Sequence, residues 1–97
     1  MTAGMKSVRL YITGRVQGVG YRYWCVRQAE GLGLDGWVRN RLDGSVEAVA
    51  SGTAEAVDQF MQACRQGPRG AAVEGVHVSD ADSTESGMPG FQQYPTA

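Results

Sequence analysis

The order in which two hydrophobic periodicities alternate restricts the fold of this 97-residue chain more than any other feature. Lys6–Thr13 has apolar residues at every second position, the period of a half-buried strand. From Tyr21 to Leu32 the apolar residues take the i, i+3, i+4 spacing of one helix face, and the glycines that follow are typical of a helix end. The chain therefore begins with a predicted strand and helix.

The same periods return in the rest of the sequence. Trp37–Asn40 and Ser45–Ser51 are predicted strands, joined by an Asp-Gly pair that is typical of a hairpin. A second helix is predicted between Thr53, a suitable N-cap, and the Gly67-Pro68 stop. Two more strands are predicted at the end of the chain, at Val73–Val78 and, as a short edge strand, at Phe91–Tyr94.

This β-α-β-β-α-β order predicts an α/β (α+β) fold of the ferredoxin-like split βαβ type. Two helices would cover one face of a mostly antiparallel sheet of four to five strands, because each helix has one apolar face to bury. The length predicts a single domain over residues 1–97, with a core of about 6–95. Ser79–Gly90 is polar and turn-rich and carries no predicted element.

Composition disfavours several classes of protein. No run of 18 apolar residues is present, and Met1–Lys6 lacks the apolar stretch of a signal peptide, so we expect a cytoplasmic protein without membrane contact. Cys25 and Cys64 lack metal-ligand spacing, and we expect buried free thiols, with a disulfide between the two helices as the alternative. We expect no metal and no cofactor. His77, the only histidine, is expected to be structural.

The charge is unevenly distributed although its sum is only −1. Residues 1–41 carry seven basic and two acidic residues, a net +5, whereas residues 42–97 carry two basic and eight acidic residues, a net −6. Either both signs lie on solvated faces, or the first half creates a basic field that attracts small anions. A nucleic-acid surface is disfavoured because the basic residues do not form runs and the pI is about 5.7.

The segment Gly14–Arg22 lies between the first strand and the first helix. Its glycines allow a positive φ, so its amides can turn toward one point, and a helix N-terminus attracts anions. It lacks the Gly-Lys-Ser/Thr of a Walker A loop and the third glycine of a dinucleotide-binding fingerprint. The glycines alone fit a structural turn as well as an anion cradle, but an arginine at the helix start favours a cradle for a phosphate-like group.

Gly14-Arg-Val-Gln-Gly-Val-Gly-Tyr-Arg22 resembles the first signature of the acylphosphatases, and Gly36-Trp-Val-Arg-Asn40 resembles the start of their second. The resemblance covers about residues 6–78. It implies hydrolysis of the carboxyl–phosphate bond of acyl phosphates by a monomeric enzyme without a metal ion. The implied partners are a small acyl phosphate and inorganic phosphate, as product and inhibitor.

The resemblance also implies residue roles. Arg22 would bind the substrate phosphate, and Asn40 would position the attacking water. The implied phosphate cradle comprises Arg15, Val16, Gln17, Gly18, Val19, Gly20, Tyr21 and Arg22. Where some relatives have a small hydroxyl residue after the asparagine, this chain has Arg41, and strand alternation directs Arg39 and Arg41 away from the face of Asn40.

Two other functions use the same cradle. One is a non-catalytic anion-binding module, which would have no need of Asn40 to orient a water. The other is a carbamoyl-phosphate-handling domain, of the kind found inside larger hydrogenase-maturation proteins.

Overall fold

The computed structural model describes residues 4–97, and in that range the elements follow the predicted order. The two helices are α1 (Tyr21–Gly31) and α2 (Ala54–Gln66). The five strands are β1 (Met5–Arg15), β2 (Asp35–Asn40), β3 (Val46–Thr53), β4 (Ala72–Asp80) and β5 (Phe91–Gln93). Most strands exceed their predicted bounds, because backbone pairing continues past the last alternating apolar residue.

The strands form one sheet in the order β4-β1-β3-β2-β5. Three of the four pairings are antiparallel, and only β5 runs parallel to its neighbour β2. The predicted ferredoxin-like arrangement is therefore confirmed, and the fifth strand lies at a sheet edge as expected. This topology places the end of β2 between β3 and the edge strand β5.

The hydrophobic core lies between the helices and one face of the sheet. Alternate residues of β1 and β3 enter it, and each helix contributes the apolar face that its spacing predicts. Thr53 caps α2 as predicted, since its hydroxyl accepts the Ala56 amide at 3.2 Å. The fully buried members of this core cluster are Val8, Leu10, Ile12, Val16, Tyr21, Cys25, Ala29, Val38, Val46, Ala48, Ala50, Val57, Phe60 and Cys64.

Gly14 and Arg15 belong to β1, so the predicted loop Gly14–Gly20 starts two residues too early. A bulge between Thr13 and Gly14 shifts the register, after which Arg15 pairs with Ala72 of β4. Gly14 has a φ of 114°, and a Cβ there would lie 2.2 Å from the Ala72 carbonyl oxygen. Only glycine fits this position, and it lets the strand continue to the edge of the cradle.

The polar segment after β4 forms a cover for the sheet face turned away from the helices. It contains a 3₁₀ turn, Ser83–Ser86, with a capping box between Asp82 and Glu85. The indole Nε1 of Trp37, on β2, donates to the Glu85 carbonyl at 2.8 Å. The sequence did not predict this turn, since its short polar residues carry no periodicity.

Cys25 and Cys64 are both buried free thiols, as predicted. Burial, reinforced by contact with Cys64, raises the pKa of the Cys25 thiol and keeps it protonated. Within residues 4–97, no helix has both the length and the hydrophobicity needed to cross a bilayer. The signal-peptide prediction concerns Met1–Lys6, of which the first three residues lie outside the described range.

Candidate active site

The loop between β1 and α1 is shaped by alternating anchors and glycines. Val16 is buried in the core, and Val19 packs against it. Gly18 and Gly20 have φ values of 75° and 78°, and a Cβ at either position would meet no atom within 4 Å. Glycine is therefore favoured at both positions by backbone conformation rather than by lack of space.

The N-terminus of α1 opens toward this loop. Gly20 is the N-cap and offers no side chain to the first-turn amides, and no acidic residue occupies that turn. The first amides of a helix lack intrahelical partners and carry partial positive charge. Tyr21 fixes the helix start, because its hydroxyl donates to the Cys64 carbonyl at 2.6 Å. Burial, followed by the nearby thiols, raises the pKa of Tyr21 and keeps the phenol neutral.

A pocket of about 140 Å³ lies against this helix terminus. Loop and helix groups form one side of the pocket, and β2 and β5 form the other. Its lining residues are Val16, Gly18, Gly20, Tyr21, Arg22, Tyr23, Asn40 and Gln93. The structure thus brings together Arg22 and Asn40, which are 18 positions apart in the sequence.

Arg22 is the cationic side chain of this pocket. It lies in the first turn of α1, is half-buried, and forms no ion pair with any residue in 4–97. A guanidinium is permanently charged and offers several donors in a planar fork, which matches phosphoryl oxygens. Because no carboxylate occupies those donors, they are available to an anion in the pocket.

Asn40 contributes an acceptor from the opposite wall. It is the last residue of β2, and its Oδ1 is buried without a hydrogen-bond partner among the described residues. Leaving such an atom unsatisfied costs about 1–3 kcal/mol, so an orphaned buried acceptor beside a pocket indicates a functional role. An amide oxygen can accept a hydrogen bond from water, although it has no useful basicity near neutral pH.

Three predicted cradle residues are not among the lining residues: Val19, which packs against the core, and Arg15 and Gln17. Arg15 is exposed at the end of β1 and is not among the lining residues. The Gln17 side chain turns away from the pocket, and its Nε2 donates at 2.8 Å to the carbonyls of both Arg41 and Ser45. Gln17 therefore ties the loop to the β2–β3 turn, and only its backbone remains available to a ligand.

The neighbours of Asn40 face the other side of the sheet, as alternation predicts. Arg39 Nε and Arg41 Nη1 donate to Glu47 Oε1, at 2.9 and 3.2 Å. Neither guanidinium lines the pocket. Their charges are paired, so the basic character of the first half of the chain is largely neutralised on this face.

Tyr23 and Gln93 line the pocket, and the sequence reasoning missed both. Tyr23 follows Arg22 on the outward side of α1, and its exposed ring lies near the guanidinium of Arg27. Its place directly after Arg22 in the sequence was a usable signal. Gln93 comes from a three-residue edge strand, and no pattern in the sequence shows that this strand pairs with β2.

The acidic residues near the second motif are structural. Asp43 Oδ1 accepts from both the amide and the hydroxyl of Ser45, which lowers the pKa of Asp43. Asp35 accepts from the Gly90 amide at 2.8 Å.

His77 lies exposed on β4 and is not among the pocket residues. Across residues 4–97, no group of three or more potential metal ligands is present.

Comparison with known proteins gives consistent matches over nearly the whole chain. A family model described as Acylphosphatase matches residues 8–92. The acylphosphatase of Azorhizobium caulinodans is 51% identical over 90 residues, which cover 93% of this chain and 96% of its own. That of Thiobacillus denitrificans is 53% identical over 84 residues, covering 87% of this chain and 94% of its own.

Solved structures agree with this result. The crystal structure of acylphosphatase from Bacillus subtilis matches with a TM-score of 0.86 at 36% identity, over 94% of this chain and 99% of its own. Full-length HypF, in a phosphate- and nucleotide-bound form, also gives a TM-score of 0.86. Its identity is only 19% and the match covers 13% of that protein, so this likeness shows the fold alone.

Proposed function

Since the chain belongs to the acylphosphatase family and hydrolyses acyl phosphates, we propose that Arg22 binds the phosphoryl group and that Asn40 orients the attacking water. The observation that carries this proposal is that, within residues 4–97, one small pocket has on one wall an arginine without a carboxylate partner and on the other a buried amide oxygen without a donor. The two groups are complementary to an anion and to a water molecule.

The phosphoryl group would lie against the loop and the helix start. The amides of residues 16–20 and the first turn of α1 supply partial positive charge, and Arg22 supplies a full charge. Arg15, outside the pocket, contributes longer-range attraction only. These groups stabilise the charge that accumulates on the phosphoryl oxygens as the reaction proceeds.

Water held by Asn40 would attack phosphorus in line with the leaving carboxylate. One P–O bond forms to the water oxygen, and the P–O bond to the acyl group breaks with its electron pair leaving on the carboxylate. A water proton passes to a phosphoryl oxygen of the substrate, because Asn40 cannot take it. A carboxylate is a good leaving group, so positioning and charge stabilisation account for catalysis without an acid, a metal ion or a covalent intermediate.

The test is hydrolysis of benzoyl phosphate by the parent and by Asn40→Ala, with a chelator present. We expect rapid metal-free turnover by the parent and a kcat at least about 100-fold lower in the variant. Inorganic phosphate should inhibit the parent competitively and should bind the variant with similar affinity. Equal loss of turnover and phosphate binding, or a requirement for metal, would contradict these roles.

The remaining expectations stay predictions. They are a monomeric state, a cytoplasmic location and a single domain over residues 1–97. The alternative function as a non-catalytic anion-binding module is excluded, because members of the family hydrolyse acyl phosphates.

A further inference from the structure

A buried carboxylate lies on the face of the sheet opposite the helices. Glu47 on β3 has a side chain only 1% exposed, and it lies across from Arg39 in the β2–β3 register. Its neighbours in the strand, Val46 and Ala48, enter the hydrophobic core on the helix side. Glu47 therefore faces the outer side of the sheet, directly behind the strand end that carries Asn40.

The two oxygens of Glu47 receive different partners. Oε2 accepts from Arg9 and from the Tyr11 hydroxyl, both on β1. Oε1 accepts from Arg39 Nε at 2.9 Å and from Arg41 Nη1 at 3.2 Å. Arg9 divides its charge between Glu47 and Glu85, whereas Arg39 and Arg41 both bind Glu47 through Oε1.

Arg39 and Arg41 are the residues immediately before and after Asn40. Side chains alternate along a strand, so two neighbours fixed on the outer face direct the residue between them toward the pocket. Among residues 4–97, no protein donor binds Asn40 Oδ1 to hold the side chain in position. Its orientation must therefore come from the backbone and from the residues on either side.

Resting on the role proposed for Asn40, we propose that Glu47 is a positioning residue for the hydrolysis. It fixes both neighbours of Asn40 from behind the sheet and so aims the amide oxygen at the attacking water. The phosphate cradle lies on the other wall of the pocket, and Gln17 joins it to the backbone carbonyl of Arg41 rather than to the guanidinium that Glu47 binds. Loss of the carboxylate should lower kcat and leave KM and phosphate inhibition nearly unchanged.

Glu47→Gln tests this separation. An amide keeps the volume but places donors against the arginines, so we expect kcat for benzoyl phosphate to fall about 10- to 100-fold, the cost of a small misplacement. KM and the phosphate inhibition constant should stay within about twofold. Tyr11→Phe is the matched control, because it removes a bond to Oε2 without touching either neighbour of Asn40, and its kcat should stay within about twofold of the parent.

The decisive readout is the effect of Glu47→Gln in an Asn40→Ala background. If Glu47 acts through Asn40, the second substitution should lower the residual rate by less than about twofold. An equal fall in both backgrounds, or an unchanged kcat in Glu47→Gln alone, would overturn the proposal. A parent-like kcat in Asn40→Ala would instead refute the role of Asn40, and this inference with it.

Arg41→Met carries the same test if Glu47→Gln does not fold. The Arg41 side chain is 35% exposed and has Glu47 as its one ion-pair partner among residues 4–97, so its removal leaves the carboxylate with three other donors. A fall in kcat that disappears in the Asn40→Ala background would support positioning. A kcat equal to that of the parent would overturn it.

Discussion

The arginines on the two sides of the sheet differ in whether a carboxylate binds them. On the outer face, Arg9, Arg39 and Arg41 all bind Glu47, and Arg9 also binds Glu85. At the pocket, Arg22 binds no carboxylate within residues 4–97. Pairing an arginine fixes structure, whereas leaving it unpaired beside a pocket keeps its donors for a ligand.

The polar atoms on the two sides differ in the same way. Glu47 is nearly inaccessible and yet both of its oxygens have donors. Asn40, a neighbour across the β2–β3 pair, keeps a buried oxygen without one. The buried oxygens of Glu47 on the outer face have donors, whereas the buried oxygen of Asn40 at the pocket has none among residues 4–97. An unsatisfied buried group lowers stability, so its presence indicates a position where function takes precedence over stability.

The largest expected effect concerns the unpaired arginine. Arg22→Met should lower kcat/KM for benzoyl phosphate by about 10²–10³-fold or more and abolish phosphate binding, since the main charge on the phosphoryl group is lost. Its thermal stability should match that of the parent, because no ion pair is broken. Steady-state kinetics, phosphate titration and a melting curve measure the three quantities.

Arg15→Met is the matched comparison for Arg22→Met. It removes the same charge from the other end of the same loop, where the side chain is exposed and outside the pocket. Solvent screens such a charge, so we expect a loss of less than about tenfold. Similar losses in both variants would show that net field, rather than direct contact, binds the phosphate.

The sequence predicted Arg22 and Asn40, which both line the pocket, but not the contacts around them. Arg22 was favoured by its place at the start of a predicted helix, and Asn40 by the resemblance of Gly36–Asn40 to the second acylphosphatase signature. The four donors on Glu47 come from β1, from β2 and from the residue that follows β2, and Gln93 comes from an edge strand of three residues. Such contacts depend on strand register, which no local pattern in one sequence specifies.

The C-terminal end of β1 is a second feature that local patterns in the sequence did not predict. Alternation ends at Thr13, yet the strand continues through Arg15 because Gly14 permits a bulge. The bulge is specified by the partner strand β4, far along the chain. A glycine can adopt the backbone conformation of a loop or of a bulge. Which of the two forms here is decided by the pairing of β1 with β4.

The next expected effect concerns the outer face of the sheet, where arginines bind Glu47, and its contribution to the free energy of unfolding at acid pH. Burial acts to raise the pKa of Glu47, but hydrogen bonds from Arg39 and Tyr11 and the arginine charges outweigh it and hold that pKa below its ordinary 4.5. A carboxylate with a lowered pKa stabilises the fold above about pH 4.5, and this contribution is lost as pH falls through the folded-state value. Urea unfolding between pH 7 and pH 3 should therefore show a steep acid loss in the parent.

Glu47→Gln should flatten part of that acid loss while lowering stability at pH 7 by about 1–3 kcal/mol. The remainder should persist, because Asp43, Asp82 and Glu85 also have lowered pKa values from hydrogen bonds. Glu74→Gln is the control, since this exposed carboxylate has no ion pair within residues 4–97 and its removal should leave the profile of the parent. A parent-like profile in Glu47→Gln would mean that the outer face does not stabilise the fold through charge pairing.

The smallest expected effect is a gain. Asn40→Ala removes a buried acceptor that has no protein donor among residues 4–97, so the part of its desolvation cost of about 1–3 kcal/mol that a bound water does not offset is no longer incurred. The methyl group of alanine leaves a little space at the pocket wall, which opens to solvent and so creates no sealed cavity. We expect the free energy of unfolding in urea to rise by up to about 1 kcal/mol while turnover falls. A clear loss of stability would show that Asn40 stabilises the fold together with the residues that bind Glu47 on the outer face. The contrast between the two sides of the sheet would then not hold at this residue.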